Sequence, residues 1–527
     1  MRLHVIGKSA RVAVATLLVS GLMVPCLLAQ GRQPAPRLPD GTPNLGSPAP
    51  GNGVWVRTPS SRAPRVSNMG AHPYLLDPKD GIPYQPWAKA LAAVNHGIRD
   101  KSDPAGNCLP PGVPRMMSLP TSFEIVQESE PKRIVMLFEG ATYLWRQIFM
   151  DGRPHPQGDA LTPTWMGHSV GRWDGDTLVI DTVGFNEGTW LDAYGNPHTD
   201  LLHVIEKIAR PDLMTLRYEV TIDDPGAYTG PWTSRWDIDW DPDGQLHEYI
   251  CQGEALAKQM AATAADAAEK QEAGDPPPLR ATRPANTAGV RRRMPKEASE
   301  PTPRLSDGKP NLGGKGFWNL TRTFNMAEPN ALLDPKDGNF HQPWAKAKAD
   351  FNWRNDQKYD PEGYCLPPGG PRLMSLPYPM QFIMQPDLKR VVMLEEGGSH
   401  VFRIIHMDGR QHPKDLKPTF LGHAVGHWEG DTLIVDSVGY NEQTWLDPWG
   451  NPHTDKLHVI ERFSRPNLAT LHYEATIDDP GAYTRTWTTG WDILWTPNGE
   501  LMEYICQENN KYTYGFTGDN GKRRSKE

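Results

Sequence analysis

The stretch GHSVGRWDGDTLVIDTV, residues 167–183, decides the fold of this 527-residue chain. Strand-forming residues lie on either side of Asp174-Gly175, a dipeptide that favours a tight hairpin turn. Similar short stretches, each bounded by turn residues, precede and follow this hairpin. The pattern predicts a meander of antiparallel strands.

The meander contains up to nine consecutive strands, and closure into a barrel would leave none of them with an exposed edge. We therefore predict a mainly β fold, an up-and-down barrel, with a β-sandwich as the alternative. One short helix per domain is predicted at PWAKA, residues 86–90 and 343–347, because proline favours the first helical turn. The predicted strands of the first copy are Phe123–Gln127, Arg133–Phe138, Tyr143–Phe149, His168–Trp173, Thr177–Val183, Leu202–Ile208, Thr215–Ile222, Ser234–Trp240 and Gln245–Cys251.

The chain contains two copies of this pattern. The string LLDPKDG at 75–81 returns at 332–338, and GNPHTD at 195–200 returns at 450–455. Repeats of this length indicate two tandem domains, 35–253 and 300–515, each large enough for its own core. Residues 254–299 are predicted to form a helix followed by a linker rich in proline and charge, and 516–527 a polar tail. The net charge of −8 argues against nucleic acid as a partner.

The N-terminus has the order of a secretory signal: basic residues, an apolar run from Val12 to Ala29, then a polar stretch. We predict cleavage after Ala29 and a soluble mature chain in the periplasm or outside the cell, with no membrane span. An uncleaved anchor is the alternative.

Four cysteines remain after the predicted signal peptide, and an even number in an exported chain favours disulfides. Cys108 matches Cys365 between the copies, and Cys251 matches Cys506. Each domain is therefore predicted to contain one bridge, Cys108–Cys251 and Cys365–Cys506.

Three motifs carry a resemblance to a known family: GHSVGRWDGDT at 167–177, NEGTWLD at 186–192 and TIDDP at 221–225. The chain resembles a widespread family of exported proteins from Gram-negative soil and marine bacteria, to which no activity is assigned. The architecture also looks like the lipocalin or calycin barrels. That likeness implies a small apolar ligand in the barrel mouth, but only at the level of fold.

The densest polar segment, residues 186–200, predicts an acid–base set at the barrel mouth. Histidine supplies a proton carrier that titrates near neutral pH, and carboxylates can orient its ring. The alternative is that His198 only caps a turn. The candidate catalytic residues are Glu187, Asp192, His198, Asp200 and His168, with Glu442, Asp447, His453, Asp455 and His423 as their second-copy counterparts.

Two functions remain open at this stage. One is a binding module for a small, partly apolar molecule, and the other is a lyase, isomerase or hydrolase. Motifs for phosphate loops, nucleophile elbows, dinucleotide folds and haem attachment are absent, so no organic cofactor is predicted. A metal site formed by His198, His203 and Asp200 is the alternative, but no tight metal-ligand motif is present, so no metal ion is predicted.

Overall fold

The computed structural model describes residues 33–57, 81–251, 253, 299–320, 326–327, 340–355, 358–398 and 400–508. The predicted signal peptide, the predicted helix and linker up to residue 298, and the predicted tail lie outside the described residues. Within the described part of the chain, no helix has the length and apolar character needed to cross a bilayer.

Each domain is a closed barrel of nine strands that follow one another in sequence order. The last strand of each barrel returns to pair with the first. The mainly β barrel with strands in sequence order is confirmed, except that one neighbouring pair in each barrel is parallel where an antiparallel meander was predicted. The sandwich alternative is wrong because each sheet closes on itself. The first barrel consists of β1 (Val54–Val56), β2 (Phe123–Ser129), β3 (Lys132–Phe138), β4 (Trp145–Phe149), β5 (His168–Asp174), β6 (Thr177–Val183), β7 (His203–Asp212), β8 (Thr215–Asp223) and β9 (Trp232–Asp241). The second consists of β10 (Gly316–Asn319), β11 (Met380–Gln385), β12 (Arg390–Glu395), β13 (Phe402–His406), β14 (His423–Glu429), β15 (Thr432–Val438), β16 (His458–Asn467), β17 (Thr470–Asp478) and β18 (Trp487–Pro497).

One pair of neighbouring strands in each barrel is parallel. An odd number of strands cannot alternate in direction all the way round a closed ring, so nine strands require one such pair. It is β4 with β5 in the first barrel and β13 with β14 in the second. The chain between these strands, residues 150–167 in the first domain, must therefore travel back along the barrel before the next strand begins.

The ninth predicted strand of the first copy, Gln245–Cys251, is not a strand. The three-residue strand β1 closes the barrel instead and pairs with β9. Residues 245–251 leave the barrel, and the Glu248 carboxylate among them binds the second domain. The third predicted strand starts two residues late, at Trp145, because a helical turn ends at Tyr143.

The predicted helices are present and longer than expected. They are α1 (Pro86–Ser102) and α4 (Pro343–Arg354), and each begins at the predicted proline. The described residues also form two single-turn α-helices, α2 (Arg115–Ser118) and α3 (Gly140–Tyr143). Short 3₁₀ helices lie at Ala105–Asn107, Gly158–Ala160, Pro361–Tyr364, Gly370–Ser375 and Pro386–Leu388. Both predicted disulfides, Cys108–Cys251 and Cys365–Cys506, are confirmed.

Each barrel encloses a buried ion pair as well as apolar side chains. In the first barrel, Arg146 Nη2 lies 2.5 Å from Glu206 Oε2, and the two side chains are at most 2 % exposed. The hydroxyl of Tyr218 donates a hydrogen bond to Glu206 Oε1 at 2.7 Å. The second barrel repeats the pair as Arg403 and Glu461. A buried ion pair of this kind is held by its hydrogen bonds, because both charges have lost their hydration.

Two ring contacts join the domains, and both are formed by the same pair of positions with the domains exchanged. The ring of Tyr143 stacks on Phe402 at 4.0 Å, and Trp145 stacks on His400 at 3.9 Å. Tyr143 corresponds to His400 and Trp145 to Phe402, so each domain contributes the same two positions. This is the pattern of a two-fold symmetric interface formed within one chain.

Two buried carboxylates extend the same symmetry. Glu248 accepts hydrogen bonds from the backbone N–H groups of Phe420 and Leu421 at 2.8 and 2.9 Å. Glu503, its counterpart, accepts them from Trp165 and Met166 at 2.7 and 3.0 Å. Burial raises the pKa of each carboxyl to about 7.

This pKa makes the interface sensitive to pH. The folded pKa is above the unfolded value of about 4.3, so the contribution to stability is complete below about pH 4.3 and is lost as the pH rises through 7. We expect the Tm of the wild type to fall more steeply from about pH 5 to about pH 8 than that of the Glu248→Gln, Glu503→Gln double variant. Scanning calorimetry at several pH values measures both slopes, and equal slopes would contradict the assignment.

Glycine is required where β1 begins. Gly53 has φ +144°, and a Cβ there would lie 2.2 Å from Cζ2 of Trp240. We expect Gly53→Ala to lower the free energy of unfolding by about 1–3 kcal/mol, as overpacking does. Urea unfolding measures the loss. The matched control is Gly51→Ala, at φ +121° with open space around the added Cβ; equal losses for both variants would show that the clash is irrelevant.

Candidate functional site

The predicted residue His198 is buried and has both ring nitrogens occupied. Its Nε2 lies 2.7 Å from the hydroxyl of Thr189, and its Nδ1 lies 3.0 Å from the carbonyl oxygen of Thr199. Nδ1 must donate to the carbonyl, so Nε2 accepts from the threonine hydroxyl. Burial lowers the pKa of His198. His453 repeats these contacts with Thr444 and Thr454. These contacts hold the loop together.

The predicted carboxylates are divided between interior and surface. Asp192 is fully buried and accepts hydrogen bonds from the backbone of Tyr194 and the side chain of Asn196, and Asp447 does the same in the second domain. Burial raises the pKa of Asp447. The remaining candidates, Glu187, Asp200, Glu442 and Asp455, are exposed. The structure does not gather these residues and His198 into one acid–base set.

His168 and His423 belong instead to a different group of side chains, formed in both domains. We call it the histidine–aspartate cluster. His155 Nδ1 lies 2.9 Å from His168 Nδ1, and His155 Nε2 lies 3.0 Å from Asp181 Oδ1. His203 Nε2 lies 2.8 Å from the same oxygen. The second domain repeats the cluster as His412, His423, Asp436 and His458, with corresponding distances of 2.8, 3.1 and 2.8 Å.

Strand register brings the cluster together on the outer face of the barrel. His168 opens β5, Asp181 lies on β6 and His203 opens β7, at positions whose neighbours in sequence point inward. Side chains alternate along a strand, so all three face outward across adjacent strands. His155 comes from the connection that the parallel pair of strands requires. His155, the fourth residue of the cluster, lies over the sheet because a barrel of nine strands needs this connection between its two parallel strands.

The hydrogen bonds fix the neutral tautomers. An ionised aspartate only accepts hydrogen bonds, so His155 and His203 both donate from Nε2. Nδ1 of His155 then accepts a hydrogen bond from Nδ1 of His168. The lone pairs on His168 Nε2 and His203 Nδ1 are left over, and neither has a hydrogen-bond partner among the described residues. The hydrogen bonds from both ends of the cluster therefore converge on the aspartate, and each end has an imidazole nitrogen that can accept a proton.

Burial and neighbouring charges keep the rings of His168 and His423 neutral. The pKa of His168 is lowered, mainly by burial and then by the neighbouring His155 and Arg153. Burial and His412 together lower the pKa of His423 to about 4. Both rings are therefore neutral bases at pH 7. The side chain of His203 is 34 % exposed and that of Asp181 43 %, so small molecules in solution reach this end of the cluster.

The cluster does not have the form of a metal centre. Metal ligands must direct their lone pairs at one point. His155 instead uses Nδ1 and Nε2, on opposite sides of its ring, for two different neighbours. In the part of the chain that the structure describes, no group of three or more histidine, cysteine, aspartate or glutamate side chains is arranged to hold a metal ion.

A cavity of about 190 Å³ lies between the domains, and none of the four cluster side chains lines it directly. Phe149 lines it and also stacks on His168 at 5.2 Å. Arg153 and Asp151 of the first domain and Glu500 of the second line it as well, and their charges act on the His168 ring. His406 replaces Phe149 in the second domain and stacks on His423 at 5.5 Å. The two clusters therefore have different aromatic neighbours.

Sequence reasoning identified part of this cluster. Four histidines of the first copy recur at matching positions in the second, namely His155, His168, His198 and His203, but His155 and His203 were not among the catalytic candidates. Asp181 was missed because it lies inside a strand, outside the polar segment 186–200 that supplied most of the candidates. Its retention as Asp436, on the outward face of the same strand, is the signal that would have identified it.

No protein-family model and no curated protein matches this chain. The resemblance to the family of exported bacterial proteins stays a prediction. The geometry of the site must therefore support any assignment of function by itself.

Proposed function

We propose that the protein is an exported acid–base enzyme whose reacting groups are the two histidine–aspartate clusters. The observation that carries the proposal is the His168–His155–Asp181–His203 chain of hydrogen bonds, repeated in the second domain with nearly the same distances. A structural role would not require an accessible lone pair at each end of the chain. The reaction class is lyase, isomerase or hydrolase.

Proton transfer follows from the tautomers. Nε2 of His168 accepts a proton from the substrate, or from a water molecule that attacks it, and the ring becomes an imidazolium. His155 accepts the hydrogen bond of this imidazolium, and the negative charge of Asp181 stabilises the pair. The same nitrogen then returns the proton to the leaving group. His203 Nδ1 serves as the exposed second base.

The cavity beside Phe149 supports a small, partly apolar substrate. Its volume of about 190 Å³ is below the range of drug-sized pockets, so only a small molecule fits. Phe149 provides an apolar wall, and Arg153 and Glu500 provide charged ones. The second domain contributes to the wall of this site, so we propose that the substrate of the first cluster binds between the domains.

Small-molecule binding without catalysis is the second candidate. A cavity of about 470 Å³ lies where corresponding segments of the two domains face each other, and it is lined by Ile125, Gln127, Phe382 and Met384 among others. Its volume lies within the range of ligand pockets. The barrel mouths proposed from sequence are less suitable, because buried side chains fill both interiors.

Export rests on two observations. The N-terminal sequence has the order of a secretory signal. The two disulfides suit an oxidising compartment such as the periplasm or the extracellular medium.

Substrate screening combined with histidine labelling tests the proposal. The full chain, purified from the periplasm, is assayed against small esters, lactones and β-hydroxy carbonyl compounds. We expect an activity that diethyl pyrocarbonate abolishes and hydroxylamine restores, because the reagent modifies accessible neutral imidazoles. The His472→Gln variant controls for an exposed histidine outside the clusters. An activity that survives complete labelling of the exposed histidines would exclude the clusters from the reaction.

A further inference from the structure

The interiors of the two barrels differ at three neighbouring positions. Where the first barrel has Phe138, Ser169 and Phe185, the second has Glu395, Ala424 and Tyr440. Glu395 and Tyr440 are 2 % and 1 % exposed. The second barrel thus adds a carboxyl and a phenol to its core and removes one hydroxyl.

In the first barrel, the buried guanidinium group of Arg146 has hydrogen-bond partners on every nitrogen. Arg146 Nε donates to the hydroxyl of Ser169 at 3.3 Å, and Nη1 donates to Glu206 at 3.1 Å. Nη2 donates to Glu206, Ser169 and Thr182. All three guanidinium nitrogens therefore have partners.

In the second barrel the corresponding arginine is only partly bonded. Nη2 of Arg403 donates to Glu461 and to the hydroxyl of Ser437. Its Nε and Nη1 have no hydrogen-bond partner among the described residues, and neither does Oε1 of Glu395. The hydroxyl of Tyr440 lies near Ser437 but forms no hydrogen bond of normal geometry. Alanine at 424 cannot replace the hydroxyl that binds Arg146 Nε in the first barrel.

The unpaired atoms lie at one end of the barrel. Glu395 ends β12, Arg403 is the second residue of β13, and Tyr440 follows β15 by two residues. Since β13 runs antiparallel to β12, and β14 runs parallel to β13 and antiparallel to β15, these three points share an end. Arg403 pairs with Met393 of β12, two residues before Glu395 on the same face, so the Arg403 and Glu395 side chains are diagonal neighbours. Ser437, which accepts a hydrogen bond from Arg403 Nη2, also lies near the hydroxyl of Tyr440.

Four buried polar atoms without hydrogen-bond partners are unfavourable unless another molecule bonds to them. Each buried donor or acceptor without a partner costs about 1–3 kcal/mol. A buried water molecule makes about three hydrogen bonds and both donates and accepts. That capacity suits two guanidinium N–H donors, a carboxyl oxygen and a phenol arranged together.

We propose that the second barrel has an internal binding site for water, formed by Glu395, Arg403 and Tyr440, which the first barrel lacks. The occupant is a water molecule or a short chain of them that connects the free guanidinium nitrogens to the carboxyl and the phenol. This site lies inside the barrel, whereas the histidine–aspartate clusters lie outside it. The two domains therefore differ in internal polarity although their clusters are alike.

A high-resolution crystal structure of the full chain tests the proposal. We expect ordered water within hydrogen-bonding distance of Arg403 Nε or Nη1 and of Glu395 or Tyr440. We expect none beside Arg146 in the first barrel, which serves as the internal control. Direct contact of Glu395 and Tyr440 with Arg403, with no density between them, would overturn the proposal.

A triple variant provides a second, independent measurement. Glu395→Phe, Ala424→Ser and Tyr440→Phe give the second barrel the residues of the first. We expect the water to disappear and Arg403 Nε to bind the new serine, while the reverse triple variant, Phe138→Glu, Ser169→Ala and Phe185→Tyr, admits water beside Arg146. Water that persists in the first variant, or that is absent from a folded reverse variant, would contradict the assignment.

Discussion

Alanine in place of Glu206 is expected to lower the free energy of unfolding by about 3–5 kcal/mol, because breaking a buried ion pair leaves an uncompensated charge. Arg146 would stay in the interior of the first barrel with two of its nitrogens deprived of their carboxylate partner. The hydroxyl of Tyr218 would lose its acceptor as well. The loss is measured by urea unfolding of the full chain, followed by tryptophan fluorescence.

A surface pair on the same sheet provides the control for this variant. Glu219 accepts a hydrogen bond from Lys207 at 3.1 Å, and both side chains are at least 31 % exposed. Glu219→Ala should cost less than about 1 kcal/mol, as surface ion pairs do. If Glu206→Ala costs no more than Glu219→Ala, the buried pair does not stabilise the barrel in the way its hydrogen bonds indicate.

Asparagine in place of both cluster aspartates is expected to reduce kcat about 10²–10⁴-fold, the range that general acid–base catalysis supplies. Both histidine hydrogen bonds go to one oxygen, Oδ1, in each domain. The amide oxygen of asparagine can still accept them. Asp181→Asn with Asp436→Asn therefore removes the negative charge and keeps the geometry. The imidazolium formed during the reaction loses its counterion, and its pKa falls.

The measurement is the pH dependence of kcat for any substrate found by screening. The acidic limb of the profile should move to lower pH in the double variant. Asp492→Asn is the matched control, since Asp492 also accepts a hydrogen bond from a histidine, His472, on the outside of a barrel. A double variant with unchanged kcat and an unchanged acidic limb would remove the aspartates from the mechanism. The single variants report which domain is active.

Much of the fold could be predicted from sequence because its signals are local. Eight of the nine strands predicted for the first copy contain enough strand-forming residues between turns to be recognised. The disulfide pairing followed from the duplication alone. β1 was not recognised because a three-residue strand gives too short a pattern. Gln245–Cys251 was misassigned because it contacts Glu139 and Cys108 in its own domain and Phe420 in the other, and pairs with no strand.

The candidate site was harder to predict because its residues are distant in sequence. His155 and His203 are separated by 48 positions; the register of β6 and β7 brings His203 to Asp181, and the connection between β4 and β5 brings His155 to it. Polar density in the sequence favoured residues 186–200, where carboxylates and histidine are close along the chain. There the structure uses the same chemistry to hold a loop, because buried Asp192 and His198 satisfy backbone and hydroxyl groups.

The doubled contacts between the domains have a consequence for behaviour in dilute solution. A homodimer with this interface would separate when its concentration falls below the dissociation constant. Here both halves belong to one polypeptide, so each meets the other at an effective concentration that is fixed by the tether and independent of the total amount of protein. Fusing the two halves therefore keeps the cavity beside Phe149 assembled at any dilution.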